Sequence, residues 1–354
     1  MDTRTSGPSR ALLLSLFVAA AGFGWGGGAI WLAAGASAGS LPARPVADPQ
    51  PSATSAPAPV AVARRPSPTP PATRAPSPAA LLAALPDWGA AAPFHVLLLG
   101  IDERGAEQRA GQPGRTDVMV LVRVMPAERQ VALVSLPRDL LITLPGVGET
   151  KLNTAYTYGE VRQRGGGPSW AKAAVADLIG RPVEHHAVVD FTGFARAVDL
   201  LDGIEVDVAR PLKDDEYPAA DYGVERMYLP VGPQWMDGAT ALRYARSRHA
   251  DNDFGRMRRQ QEVLLALRER ALRWASLSRA PELAEQALAA VRSDLGPREA
   301  LALAKLASQI DPAAVKSLVV APPLVEPGRG NDGSYVLRLD QARFRPALAA
   351  VLGS

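Results

Sequence analysis

The eighteen residues from Tyr244 to Gln261 carry five arginines, one histidine and two aspartates, the densest charge in the chain. Arginine makes forked contacts with phosphate or carboxylate oxygens, and a carboxylate set among arginines fixes their orientation. With Asp253 as the cap of a helix starting at Phe254, the spacing puts Asp253, Arg256 and Gln260 on one face. Arg246 and Arg248 stand two residues apart, and they converge only if a preceding helix ends there. Arg258 and Arg259 fall on other faces and read as ordinary solvated charge, the usual fate of an isolated basic run.

Further chemistry-bearing residues lie where short apolar runs end. Phe94–Gly100, Val118–Val124 and Val131–Leu136 read as fully buried strands, with Asp102, Asp117 and the pair Arg138 and Asp139 at their ends. Sites in α/β sheets usually lie at strand ends. Asp102 and Asp117 together suit a hard divalent cation, since magnesium takes one or two carboxylates and completes its shell with water and phosphate oxygens. Arg138 can fork onto phosphate or pair with Asp139 beside it. Lys151 and Asn153, opening an expected short helix, would add a point charge and an amide, or simply face solvent.

Several classes drop out. With no cysteine there is no disulfide, thiolate nucleophile or cysteine zinc site. His95, His185, His186 and His249 form no metal-ligand spacing, and no Gly-x-Ser-x-Gly, Walker loop or Gly-x-Gly-x-x-Gly occurs. A net charge of +3 with clustered arginines indicates local anion binding and no nucleic-acid partner.

The elements that must position these residues begin after a long approach. Residues 1–10 carry Arg4 and Arg10, and the uncharged run Ala11–Gly35 that follows can span a bilayer. The flanking arginines place the amino terminus in the cytoplasm and the rest outside. A single-pass anchor over 11–37 is expected; its rival is a signal peptide cleaved near Ala36-Ser37-Ala38, and both export the remainder. Residues 38–93, rich in Pro, Ala and Ser, form a disordered linker. Beyond it, strands are expected at Val183–Asp190, Ile204–Val208, Ser317–Val320 and Tyr335–Leu337, and a loop or hairpin at Pro211–Val231. Helices are expected at Pro168–Ile179, Phe191–Leu201, Asp237–Arg248, Glu262–Leu277, Pro281–Val291, Pro297–Ile310 and Gln341–Leu352. This predicts one α/β/α domain over residues 94–354, a central mixed sheet with flanking helices.

The motifs together resemble the LytR-CpsA-Psr family in order and spacing. They are Leu98-Leu99-Gly100-Ile101-Asp102, Arg115-Thr116-Asp117, Val134-Ser135-Leu136-Pro137-Arg138-Asp139, Lys151-Leu152-Asn153-Thr154-Ala155-Tyr156 and Tyr244–Gln261. Asp190-Phe191-Thr192-Gly193-Phe194 and Asp202–Val208 fit as well. The resemblance implies a membrane-anchored phosphotransferase that moves a glycopolymer from a polyprenyl-pyrophosphate carrier onto peptidoglycan through a phosphodiester bond. It implies that Asp102 and Asp117 hold magnesium, or manganese in its place. Arg138, Lys151, Arg246, Arg248 and Arg256 would grip the pyrophosphate, with Asp253 and Gln260 ordering them. Asp117 and Asp253 are the candidates for taking the acceptor proton, and an apolar tunnel is expected to hold the prenyl tail. A hydrolase of the same lipid and a non-catalytic binder of polyprenyl phosphate are the alternatives.

Overall fold

The computed structural model describes residues 83, 85–89, 92–102, 114–218, 223–248, 251–274 and 291–353. The expected anchor at 11–37 and most of the linker lie outside the described residues, among which no helix is long and apolar enough to cross a membrane. In chain order the elements begin with β1 (Phe94–Asp102), β2 (Arg115–Met125), β3 (Gln130–Leu136), β4 (Leu141–Leu144), β5 (Gly148–Lys151), α1 (Thr154–Arg162) and α2 (Gly167–Ile179). Next come β6 (His185–Asp190), α3 (Phe191–Leu200), β7 (Ile204–Val208), β8 (Leu212–Pro218), β9 (Val224–Leu229), β10 (Gly232–Met236), α4 (Gly238–Arg246) and α5 (Asp253–Trp274). The chain finishes with β11 (Val291–Ser293), α6 (Pro297–Gln309), β12 (Val315–Val319), β13 (Val325–Arg329), β14 (Tyr335–Leu339) and α7 (Gln341–Leu352).

Six strands form the central sheet in the order β11-β6-β1-β2-β3-β12. β1 runs antiparallel to β2 and parallel to β6, and β3 runs antiparallel to β2 and parallel to β12. The sheet is mixed, as expected. Side chains alternate across it, so Val96, Leu98, Val120 and Val122 enter one core while Leu97, Leu99, Met119 and Leu121 enter the other. The first core is closed by α3, α4, α5 and α6, the second by α1, α2 and α7. Burial on both faces is why these strands read as unbroken apolar runs.

Two expectations are corrected. Lys151 ends strand β5 and does not open a helix; cross-strand pairing with Leu141 holds it there, and α1 starts only at Thr154. The linker stops short of Pro93, because Leu85 is buried in the first core and Trp88 stacks on Phe94 with ring centroids 4.4 Å apart. Apolar side chains that find a surface belong to the fold, whatever the composition around them. The helix expected over Pro281–Val291 lies outside the described residues except for Val291, which pairs with Val189 as the edge strand β11.

Candidate active site

Asp117 owes its position to an irregularity in the sheet. Between β1 and β2 the register runs Gly100 to Val118 and then Ile101 to Thr116, so Asp117 is the extra residue of a bulge. A bulge re-aims one side chain while the ladder continues on either side. The Asp117 carboxylate thereby accepts a hydrogen bond from Arg138 Nη1 at 2.6 Å. Arg138 itself leaves the end of β3, and its main chain is pinned because the Asn153 N–H donates to its carbonyl at 3.1 Å. The Asn153 carbonyl accepts from Thr116 Oγ1 at 3.2 Å, so Asn153 joins the two strand ends through its backbone.

Around Arg138 a network closes. Its Nε lies 3.3 Å from Asp139 and 3.9 Å from Asp253, and Lys151 Nζ donates to Asp139 at 2.8 Å. Asp253 is in turn 3.0 Å from Arg256 Nη1 and 3.6 Å from Arg248 Nη1. Among the described residues, four cations, Arg138, Lys151, Arg248 and Arg256, thus share three carboxylates, Asp117, Asp139 and Asp253. Residues from two halves of the chain meet in one cluster. Arg256 is 3% exposed and its Nε has no hydrogen-bond partner among the described residues. Burial lowers its pKa to about 10, against the pull of Asp253, so it stays charged at neutral pH. Burial also lowers Arg248, helped by the charge of Arg138. Burial would lower Arg138 too, but Asp117, then Asp139 and Asp253, outweigh it and raise that group above its ordinary value.

The charged stretch folds differently from its expected capping. The N–H groups of Phe254 and Gly255 both donate to Asn252 Oδ1 at 3.0 Å, so Asn252 is the cap and Asp253 the first helical residue. This correction matters, because a carboxylate spent on capping could not orient three arginines. α4 does end at Arg246, with Ser247 turning to an extended ψ of 137°. Arg246 lies over the rings of Phe191 and Tyr217, 4.6 and 5.6 Å from their centroids. Gln260 is buried, and its amide donates to the Ala245 carbonyl at 3.4 Å, tying α5 to α4. His249 and the side chain of Asp102 fall outside the described residues.

Arg259, expected to be solvated, is instead buried and braces the turn between the two helices. It donates to the carbonyls of Tyr244 and Ser247 and, at 2.6 Å, to Asp251. Ser247 Oγ donates to the buried Asp214 of β8 at 2.7 Å. Sequence gave no warning of either contact, since both depend on which helix face the tertiary fold covers.

Among the described residues no group of three or more His, Cys, Asp or Glu is placed to hold a metal ion. The donor chemistry still fits magnesium, which needs few protein ligands when phosphate completes its shell. Asp117 offers a hard carboxylate at the bulge, and the backbone of Asp102 lies at the end of β1, paired with Arg115.

A second feature lies along α5. An apolar cavity of about 120 Å³ opens between the β1–β3 face, with Val96, Leu98, Val122 and Leu133, and the helix residues Leu264, Leu265, Leu303 and Ala304. Leu265 is 38% exposed, so the cavity reaches the surface. From Arg256 to Leu264 is eight residues, about 12 Å along the helix.

A mixed α/β/α sheet thus carries cations clustered at its strand ends with an apolar cavity alongside. The chain belongs to the LytR_cpsA_psr family, whose model matches residues 77–349. It is 32% identical over 221 residues to the polyisoprenyl-teichoic acid–peptidoglycan teichoic acid transferase TagV of Bacillus subtilis, covering 61% of this chain and 53% of that one. A transferase of the same kind, TagU of Enterococcus faecalis, is 34% identical over 206 residues, covering 57% of this chain and 62% of the relative. The chain therefore spans less than two thirds of the length of either relative. Among solved structures, B. subtilis TagV matches with a TM-score of 0.59 at 27% identity, over 74% of this chain and 98% of that one. TagT bound to LIIa-WTA matches with a TM-score of 0.56 at 27% identity, over 74% and 91%.

Proposed function

We propose that this protein transfers a glycopolymer from a polyprenyl-pyrophosphate carrier to peptidoglycan. The observation that carries this reading is the cluster of buried and half-buried cations around Arg138 and Arg256, set about 12 Å along α5 from an apolar cavity. A pyrophosphate pairs with these cations, and a prenyl chain supplies apolar surface for the cavity. The teichoic acid transferases it resembles act on polyisoprenyl-linked polymer, in keeping with this pairing.

In this reaction an acceptor hydroxyl attacks the phosphorus that bears the polymer. The bond from that phosphorus to the bridging oxygen breaks, and lipid monophosphate leaves with the electron pair. The protein needs to position and neutralise more than to react covalently, since phosphoryl transfer passes through a loose transition state. Arg138 and Arg256 face the charge that grows on the phosphate oxygens, while Lys151, Arg246 and Arg248 hold the ground-state anion. The acceptor proton passes to Asp117 or Asp253, each of which is held in place by an arginine. Magnesium, or manganese, held by Asp102 and Asp117 would supply further neutralisation of the leaving phosphate when bound. The domain acts outside the cytoplasmic membrane, anchored through the 11–37 segment, where its lipid carrier is found.

The test incubates the full chain in detergent with polyprenyl-pyrophosphate glycopolymer and peptidoglycan fragments. Covalent polymer on the glycan is the expected product. Release of lipid monophosphate without transfer would make the protein a hydrolase, and unchanged, tightly bound lipid would make it a receptor. Arg138→Ala should lower turnover on the order of 10²-fold with the fold retained; near-normal turnover would remove the phosphate clamp from the mechanism.

A further inference from the structure

The turn between α4 and α5 is gripped from the β8–β9 hairpin, which supplies none of the clustered ion pairs described above. Alternation along β8 points Leu212 and Asp214 inward. Asp214 then pairs with Met227 and Tyr217 with Glu225, so β8 carries one extra residue, and Tyr217 is brought inward as well. Asp214 is 1% exposed. A carboxylate buried to that degree is costly unless its oxygens find donors, and both do. At the bulge the Glu216 N–H donates to Oδ1 at 3.1 Å, and Ser247 Oγ donates to Oδ2 at 2.7 Å.

Ser247 is buried too, and its place in the chain gives the contact its meaning. α4 stops at Arg246, Ser247 is extended, and the next residue, Arg248, comes within 3.6 Å of Asp253. Beyond the last helical turn the backbone ladder no longer sets the direction of the chain. Side chains do so instead: Arg259 donates to the Ser247 carbonyl, and Asp214 accepts from the Ser247 hydroxyl. The neighbour on the other side, Arg246, lies over the ring of Tyr217, three residues along β8 from Asp214. We propose that Asp214 is a positioning residue: through the Ser247 hydroxyl it fixes the turn from which Arg248 enters the cation cluster and meets the anionic head of the substrate. This inference rests on the anion-binding reading of the cluster given above. Asp214 acts through Ser247, so it shapes how well the anion is held without taking part in the bond changes.

The test measures binding of inorganic pyrophosphate to the full chain in detergent by calorimetry, which returns the affinity and the number of sites separately. Ser247→Ala removes only the hydroxyl and should weaken binding roughly 10-fold, equivalent to about 1.4 kcal/mol, with the number of sites unchanged. Asp214→Ala should weaken it as much, and the double variant no more than either single one, because all three lose the same contact. In the transfer assay Ser247→Ala should raise KM for the lipid pyrophosphate and leave kcat nearly unchanged, the mark of a lost ground-state contact. The inference is overturned if Ser247→Ala binds as wild type, or if fewer sites bind at unchanged affinity, which would make the contact a support of the fold alone. It is equally overturned if the losses of the two single variants add, or if kcat falls with KM unchanged. Wild type that binds no pyrophosphate would remove the anion-binding reading itself, and this inference with it; wild type that binds while Ser247→Ala binds equally well removes this inference alone.

Discussion

Arg258 and Arg259 are adjacent, and the fold treats them oppositely. Arg258 faces solvent, whereas Arg259 is buried against the carbonyls of Tyr244 and Ser247 and the carboxylate of Asp251. Those carbonyls close the last turn of α4, where a cation also complements the helix dipole. Arg259→Ala would leave buried acceptors unpaired and should cost about 3 kcal/mol in urea unfolding. Arg258→Ala should change stability by no more than about 0.5 kcal/mol. Equal effects would mean that the brace between α4 and α5 is not the source of the turn's geometry.

At the scale of elements, α5 joins two environments. Its first turn carries Asp253 and Arg256 into the ion-pair network, and its middle presents Leu264 and Leu265 to the cavity. If the cavity holds a prenyl tail, Ala304→Phe should occupy it and weaken binding of a long-chain polyprenyl phosphate by at least about tenfold, given about 0.8 kcal/mol per buried methylene. A short-chain analogue, whose affinity comes from the arginines, should bind as before. Equal weakening of both would place the tail elsewhere. The added ring should cost about 1–3 kcal/mol of stability, which thermal unfolding will report.

For the molecule as a whole, pH sensitivity should come from histidines remote from the site. Burial lowers the pKa of His95 despite the opposing pull of Glu184, and burial likewise lowers His186 despite Asp294. The folded state therefore holds these groups neutral, while the unfolded chain takes up protons near its ordinary pKa of about 6.5. Stability from this source is present above about pH 6.5 and is lost as pH falls toward the folded-state pKa values. The midpoint of thermal unfolding should drop between pH 7.5 and 5.5, and His95→Gln should flatten that drop. A midpoint that rises on acidification would contradict the sign of both shifts.

The sequence by itself determined the buried strands, the helix over Gln341–Leu352 and the mixed α/β/α arrangement. Apolar period and strand-end polarity are local, so they survive without knowledge of partners. Only the tertiary structure decided that Asp117 is thrown out of register by a bulge, that Asn252 caps α5 and so leaves Asp253 to the arginines, and that Arg259 is buried. It also drew Leu85 and Trp88 out of the linker and opened the cavity beside α5. Each of these depends on which surfaces meet across many residues, and that is set by how the whole chain packs rather than by any window of it.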